Sequence, residues 1–156
     1  MSNRDLIEKF YQSFAAKDAI GMLSCYHPEI RFEDPAFGVL TGKRAGDMWR
    51  MLLSNKKSNV VVHFSDVIAD DRSGSAQWTA DYVFSQSGRK VHNIISANFE
   101  FKDGLIIRHT DHFDLYRWSK QALGLSGWLL GWTPLFRKKL QQKTNSLLDS
   151  FLRKKM

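Results

Sequence analysis

The sequence predicts an α+β fold, in which three N-terminal helices lie against one face of a curved antiparallel sheet and a C-terminal amphipathic helical extension follows. In the first third of the chain, apolar residues recur at the three- and four-residue spacing of helices buried on one side. From Asn59 onward they alternate every second residue, as in strands. At 156 residues and 43% hydrophobic composition, the chain is long enough for one domain with a substantial core.

Three helices are predicted before the sheet. The first spans about residues 3–16, and its apolar stripe consists of Leu6, Ile7, Phe10, Tyr11 and Phe14. The second is short and ends before Pro28, because a residue preceding proline disfavours the helical conformation; it contains Ala19, Met22, Leu23 and Tyr26. A short strand with Ile30 and Phe32 follows. The third helix begins at Thr41-Gly42, and its predicted buried face consists of Ala45, Met48, Trp49, Leu52 and Leu53.

Four long strands are predicted next, with the sequences VVVHFSDVI, SAQWTADYVFS, RKVHNIISANFEF and LIIRHTDHFDLYRW. The links between them, residues 70–74, 86–88 and 102–104, are short and contain glycine. Links of this length join antiparallel neighbours, so we expect an antiparallel sheet.

The last strand places two titratable side chains on an otherwise apolar face. His109 and Asp111 lie about 7 Å apart along that strand. The apolar faces of the two preceding strands consist of Trp78, Ala80, Tyr82 and Phe84, and of Asn93, Ile95, Ala97, Phe99 and Phe101. These faces are typical of a pocket lining and equally of a core. For His109 and Asp111 the alternative to a pocket role is a buried hydrogen-bonded pair that stabilises the strand.

The net charge of +7 comes from the end of the chain. Residues 1–116 contain 14 Lys and Arg against 15 Asp and Glu, whereas residues 117–156 contain 9 basic residues and a single acidic one, Asp149. A nucleic-acid-binding domain usually spreads its basic residues over the folded body, so we expect no nucleic-acid partner.

Cys25 is the one cysteine, which excludes an intramolecular disulfide and provides no metal-binding cysteine pair. It lies on a predicted apolar helix without a basic partner, and we interpret it as a small buried hydrophobic residue rather than a nucleophile. The beginning of the chain, MSNRDLIEKFYQ, has no apolar signal core. We expect a cytoplasmic protein without metal or cofactor.

The last segment has a different character. GLSGWLLGWTP contains Trp128 and Trp132, and Thr133-Pro134 is a helix-start signal for a basic amphipathic helix. This helix can pack within the protein or across a dimer, lie on an anionic membrane surface, or bind an acidic partner. We favour packing within the protein or its dimer over membrane contact.

Asp34 ends the short strand in the sequence IRFEDPAFG and is followed by Pro35. Aspartate before proline commonly forms a turn. Alternatively, the strand delivers a carboxylate to a pocket, where burial would raise its pKa.

Glu33-Asp34-Pro35, a helix beginning Gly42-x-x-Ala45, HTDHFD on the last strand and the order of the elements resemble the nuclear transport factor two-like superfamily. The chain is most similar to the SnoaL-like polyketide cyclases, relatives of the ketosteroid isomerases and limonene-epoxide hydrolases. The resemblance covers about residues 3–125, so we assign residues 1–125 to a cone-shaped domain and residues 126–156 to the extension. It implies a conical cavity between sheet and helices, and a homodimer.

The resemblance places the general base of the isomerases on Asp34 and the last-strand aspartate of the hydrolases on Asp111. Other functional positions of these relatives do not match. The two residues that stabilise the oxyanion in the isomerases correspond here to Phe10 and Ala97. The Arg-x-Asp pair of the hydrolases corresponds to Trp78 and Ala80. Because these residues lack the required groups, neither of those two reactions is expected.

We therefore predict a domain that binds a small, mostly apolar molecule bearing a carbonyl or hydroxyl group, with acid/base chemistry of isomerase, cyclase or lyase type. Asp34 or Asp111 would transfer the proton, and His109 would orient or share it. The predicted pocket lining consists of Phe10, Phe14, Tyr26, Trp49, Trp78, Ala80, Tyr82, Asn93, Ile95, Ala97 and Phe113. The alternative is a non-catalytic binding or assembly module with a filled cone and a dimer on the convex sheet face.

Overall fold

A computed structural model describes residues 1–57 and 59–154. Six helices and six strands follow one another in the order α1 (Asn3–Ala15), α2 (Ala19–Leu23), β1 (Tyr26–Asp34), β2 (Gly38–Thr41), α3 (Lys43–Ser54), β3 (Val61–Ala69), β4 (Ser73–Phe84), β5 (Arg89–Lys102), β6 (Leu105–His112), α4 (Leu115–Leu123), α5 (Leu125–Leu130) and α6 (Pro134–Lys154). The predicted α+β class and the predicted order of two helices, a short strand, a third helix and four long strands are confirmed, with β2 as an additional strand before α3.

The strands form one curved sheet in the order β2-β1-β6-β5-β4-β3. All neighbours are antiparallel except β1 and β6, which run parallel. The expectation of a wholly antiparallel sheet was therefore wrong at this one pair, and β2 was missed. After β1 and β2, the chain continues through α3 and then forms β3, β4 and β5, which lie side by side. β6 follows β5, lies between β5 and β1, and runs in the same direction as β1. This pairing brings the end of β1 beside the end of β6.

The first helix begins with a capping box, in which the Ser2 hydroxyl accepts from the Asp5 N–H and the Asp5 carboxylate accepts from the Ser2 N–H. The predicted second helix was too long. It ends at Leu23, and Tyr26 is the first residue of β1, where its side chain points into the core. On α3, Leu52 is exposed rather than buried.

The end of the last strand was also predicted wrongly. β6 stops at His112, and α4 begins at Leu115. Asp114 causes this change, because its side chain accepts the Arg117 N–H and caps the new helix. The alternation of apolar residues in FDLYRW concealed the cap, so Trp118 lies on a helix and not on a strand.

The inside of the sheet is filled by aromatic side chains. Phe14 of α1 lies between Trp49 of α3 and Trp78 of β4, with ring centroids 5.1 and 5.3 Å apart. Phe10 stacks on Tyr26 at 5.3 Å. Such close ring pairs contribute to stability beyond the area that they bury.

One end of the cone, which we call the capped end, is covered by the C-terminal helices. Val91, Trp118 and Ala122 are buried there, and Phe113 and Phe136 pack against them. Side chains of α6 bind the β1–β2 turn through its carbonyl groups: Gln141 donates to Pro35, Thr144 to Ala36 and Asn145 to Phe37. Within residues 1–57 and 59–154, no helix is both long and apolar enough to cross a bilayer.

Candidate functional site

Asp34 lies at the capped end, where β1 passes into the turn to β2. Its Oδ1 atom accepts the N–H groups of Ala36 at 2.9 Å and Phe37 at 2.6 Å. The predicted turn-forming role is therefore present. Its Oδ2 atom accepts no hydrogen bond from any residue that the structure describes. The turn thus holds the carboxyl group by one oxygen and leaves the other oxygen available.

The environment of Asp34 raises its pKa from 3.8 to about 7. Burial among protein groups is the main cause, since it disfavours the charged form. The nearby carboxylate of Asp111 raises the pKa further, while the N–H groups of Phe37 and Ala36 and the charge of Arg137 lower it. Asp34 keeps some solvent exposure. It therefore combines a near-neutral pKa with a free oxygen atom, as a general base requires.

Tyr82 presents a second polar group near Asp34. Its hydroxyl oxygen accepts the Trp118 indole N–H at 2.6 Å. The pKa of Tyr82 is raised from 10.0 to about 12. Burial is the main cause of this rise, the hydrogen bond from Trp118 opposes it, and the charge of Asp34 adds to it. Within the described part of the chain no group accepts the Tyr82 hydroxyl proton. The Tyr82 hydroxyl can therefore donate a hydrogen bond to a bound molecule.

His109 and Asp111 form a separate, fully enclosed pair. The two side chains share one face of β6, as predicted, and His109 Nε2 lies 2.9 Å from Asp111 Oδ1. His109 Nδ1 lies 2.7 Å from the Tyr26 hydroxyl, which accepts the Trp49 indole N–H. The Trp78 indole N–H donates to Asp111 Oδ1 at 3.3 Å.

The hydrogen bonds of this network have one consistent direction. Asp111 can only accept as a carboxylate, so His109 Nε2 carries a hydrogen and donates to it. In the neutral ring Nδ1 is then an acceptor, and the Tyr26 O–H donates to it. Both ring nitrogens of His109 are therefore occupied by buried protein partners. This arrangement is the one expected for a structural pair.

Tyr11 contributes an unusual donor to the same interior. Its hydroxyl is fully buried and, among the described residues, has no hydrogen-bond partner. Burial is the main cause that raises its pKa well above 10, and the charge of Asp111 adds to it. A buried polar group without a partner typically costs about 1–3 kcal/mol. Within the described part of the chain, the Tyr11 hydroxyl is therefore a buried group without a partner, and the charge of Asp111 acts on it.

The predicted pocket residues lie together on the inner side of the sheet. Tyr82 and Phe113 are partly exposed at the capped end, and the others are buried: Phe10, Phe14, Tyr26, Trp49, Trp78, Ala80, Asn93, Ile95 and Ala97. Two open hollows among the described residues, of about 500 and 350 Å³, include neither Asp34, His109 nor Asp111 in their lining. No three His, Cys, Asp or Glu side chains of residues 1–57 and 59–154 are grouped so as to hold a metal.

Sequence reasoning missed two residues of the capped end, Trp118 and Arg137. Trp118 was assigned to a strand but lies on α4. Arg137 belongs to the C-terminal helix, and the alternation of apolar residues along the strands gives no information about where that helix packs. The Asp114 cap was the available signal for α4. Cys25 is buried, as predicted, and burial raises the pKa of its thiol.

Comparison with known proteins identifies the family. The profile of the SnoaL-like domain matches residues 7–109, well over half of the chain. The chain belongs to the SnoaL-like domain family. The matched region of this SnoaL-like chain includes Asp34 and ends at His109. No match was found among curated proteins.

Solved structures show the same fold for this SnoaL-like chain. A proposed polyketide cyclase from Pseudomonas putida has a TM-score of 0.65 at 19% identity, over 78% of this chain and 98% of the other. An LEH-like epoxide hydrolase from M. tuberculosis has a TM-score of 0.64 at 20% identity, over 80% and 92%. A proposed ketosteroid isomerase from Kribbella flavida has a TM-score of 0.57 at 18% identity, over 71% and 76%. These likenesses establish the nuclear transport factor two-like fold.

Proposed function

We propose that this SnoaL-like domain binds a small, mostly apolar molecule bearing a carbonyl or hydroxyl group at the capped end, and that Asp34 transfers a proton there. The single observation that supports this function is the state of Asp34: a pKa of about 7, one oxygen fixed by the turn and the other unoccupied. His109 and Asp111 are assigned to the support of the inner wall, since their hydrogen bonds are used within the protein.

Proton transfer at this site would use two groups. The Asp34 carboxylate would take a proton from the carbon next to a carbonyl group, the C–H electron pair would form an enolate, and the Tyr82 O–H would donate a hydrogen bond to its negatively charged oxygen. The protonated Asp34 would then return the proton to a carbon of the enolate, which gives the product and restores the carboxylate. Tyr82 would thus provide the donor that is lacking at Phe10 and Ala97. Trp118 and Phe113 pack beside Tyr82 at this end.

The test is hydrogen–deuterium exchange of 1-tetralone, an apolar ketone, followed by NMR in D2O. We expect the protein to accelerate exchange at C2, with a rate that rises with pH and levels off above about 7, the pKa of Asp34. Asp34→Asn should reduce the acceleration by about a hundredfold or more, which is the usual contribution of a general base. Tyr82→Phe should reduce it about fivefold, the effect of one hydrogen bond.

Tyr116→Phe is the matched control, because Tyr116 donates to the Trp128 carbonyl on the outer side of α4. This variant should exchange 1-tetralone like the unaltered protein. Exchange that is equal in the unaltered protein and in Asp34→Asn would contradict the proposed chemistry.

The second candidate function is a non-catalytic binding or assembly module. It is favoured by the filled interior, in which the aromatic rings and the His109 network occupy the space of the expected cavity. If the domain is an assembly module, 1-tetralone should cause no chemical-shift changes at Asp34 or Tyr82 in a titration of the labelled protein; if it is a non-catalytic binding module, these changes should occur without accelerated exchange.

A further inference from the structure

The short helix α5 and the residues that follow it direct large apolar side chains into solvent. Leu125, Trp128, Leu129 and Trp132 recur at three- and four-residue spacing, and Leu130 and Leu135, which are also exposed, lie beside them in the sequence. Their exposures range from 58% to 74%. We call the surface formed by these six residues the α5 patch. Monomeric proteins seldom expose so many neighbouring large apolar side chains without a function.

The orientation of the α5 patch is fixed by two glycines. Gly127 and Gly131 face α4 at Ser119, so closely that a Cβ atom at Gly127 would collide with the Ser119 carbonyl and one at Gly131 with the Ser119 hydroxyl. α5 therefore packs on α4 through its backbone. Its large side chains must point in the other direction, toward solvent. The Tyr116 hydroxyl, which donates to the Trp128 carbonyl at 2.8 Å, also holds this orientation.

One basic side chain contacts the α5 patch, and three more follow it in the sequence. Lys120 Nζ lies 4.5 Å from the ring centroids of both Tyr116 and Trp128. Arg137, Lys138 and Lys139 are exposed on the first turns of α6, directly after the patch. Residues 115–148 contain no acidic residue. The patch is therefore an apolar surface with a positively charged margin.

This combination favours a lipid surface over a second copy of the chain. In a two-fold symmetric contact each basic margin would face another basic margin, which is unfavourable. An anionic bilayer complements both features, because its head groups attract Lys and Arg while the interfacial region accommodates Trp and Leu. We propose that the α5 patch inserts into the surface of an anionic lipid membrane and holds the domain there.

Co-sedimentation of the full chain with lipid vesicles tests this proposal. We expect binding to vesicles of phosphatidylcholine with 30% phosphatidylglycerol, weak binding to pure phosphatidylcholine, and a loss of binding at high salt. Trp128→Ser combined with Leu129→Ser should lower the partition coefficient at least about tenfold, since two large apolar groups no longer enter the bilayer. Lys138→Glu combined with Lys139→Glu should cause a similar loss on the anionic vesicles only.

The matched control is Ile20→Ser combined with Ile68→Ser, because these residues are 78% and 68% exposed outside the α5 patch. This variant should bind vesicles like the unaltered protein, and the circular dichroism of all variants should be unchanged. Three results would each overturn the proposal: no preference for anionic vesicles, an equal loss in the control, or self-association in sedimentation velocity that Trp128→Ser with Leu129→Ser abolishes. The last result would identify a second copy as the occupant.

Discussion

Asp111→Ala is expected to lower the free energy of unfolding by about 3–5 kcal/mol. The substitution removes the acceptor of the His109 Nε2–H and the Trp78 indole N–H, and both donors remain buried. A buried donor without an acceptor loses its hydration without compensation. The loss extends further, because His109 also orients the Tyr26 hydroxyl. Urea unfolding at pH 7 measures the effect.

The chain contains a matched control for this prediction. Asp81 and His92 make the same kind of contact on the outer side of the sheet, with Nδ1 and Oδ1 2.6 Å apart, but each side chain is about half exposed. Asp81→Ala should cost less than about 1 kcal/mol, because water replaces the lost partner. Similar losses in the free energy of unfolding for Asp111→Ala and Asp81→Ala would show that burial of the His109–Asp111 network does not add to stability.

Asp34→Asn is expected to make the protein more stable at pH 8 and to leave its stability at pH 4 nearly unchanged. The folded-state pKa of Asp34 is about 7, above its unfolded value of 3.8, so the folded state favours the protonated form. The stability that this preference contributes is complete below pH 4 and is lost as pH rises through about 7. Asparagine remains neutral and can accept the same two N–H groups. The gain at pH 8 should be roughly 2–4 kcal/mol by denaturant unfolding.

Asp70→Asn provides the comparison. Asp70 Oδ1 accepts the N–H groups of Arg72 and Ser73 in an equivalent turn, but Asp70 is exposed, and these hydrogen bonds lower its pKa. This substitution should leave the change in stability between pH 5 and pH 8 as it is in the unaltered protein. If Asp34→Asn also left the change in stability between pH 5 and pH 8 unaltered, the pKa of Asp34 would not be raised in the folded protein.

The inner face of the sheet was predictable from sequence because alternation along a strand directly determines which side chains share a face. This rule correctly grouped His109 with Asp111 and placed Trp78, Ala80, Asn93, Ile95 and Ala97 on the inner side. The same rule could not predict the partners of these residues. Tyr26 was assigned to a helix, and Trp49 comes from α3, so the network depends on packing between elements that are distant in sequence.

The capped end was the least predictable region. Asp34 was recognised as a candidate from its motif, but its pKa depends on Asp111, Arg137 and the burial that the surrounding elements provide together. The parallel pairing of β1 and β6 brings Asp34 near Asp111, since Glu33 pairs with Thr110 one residue earlier. Short-link arguments cannot predict such a return of the chain. The Thr133-Pro134 signal correctly predicted where α6 begins, but gave no indication of what the helix covers.

A pH titration of the Asp34 carboxyl carbon by NMR tests the proposed role of this residue most directly. We expect a midpoint at about 7, whereas Asp70, observed in the same spectra, should titrate below 3.8. An Asp34 midpoint near 3.8, the value of an ordinary aspartate, would contradict the assignment of this residue as a proton-transferring group at the capped end.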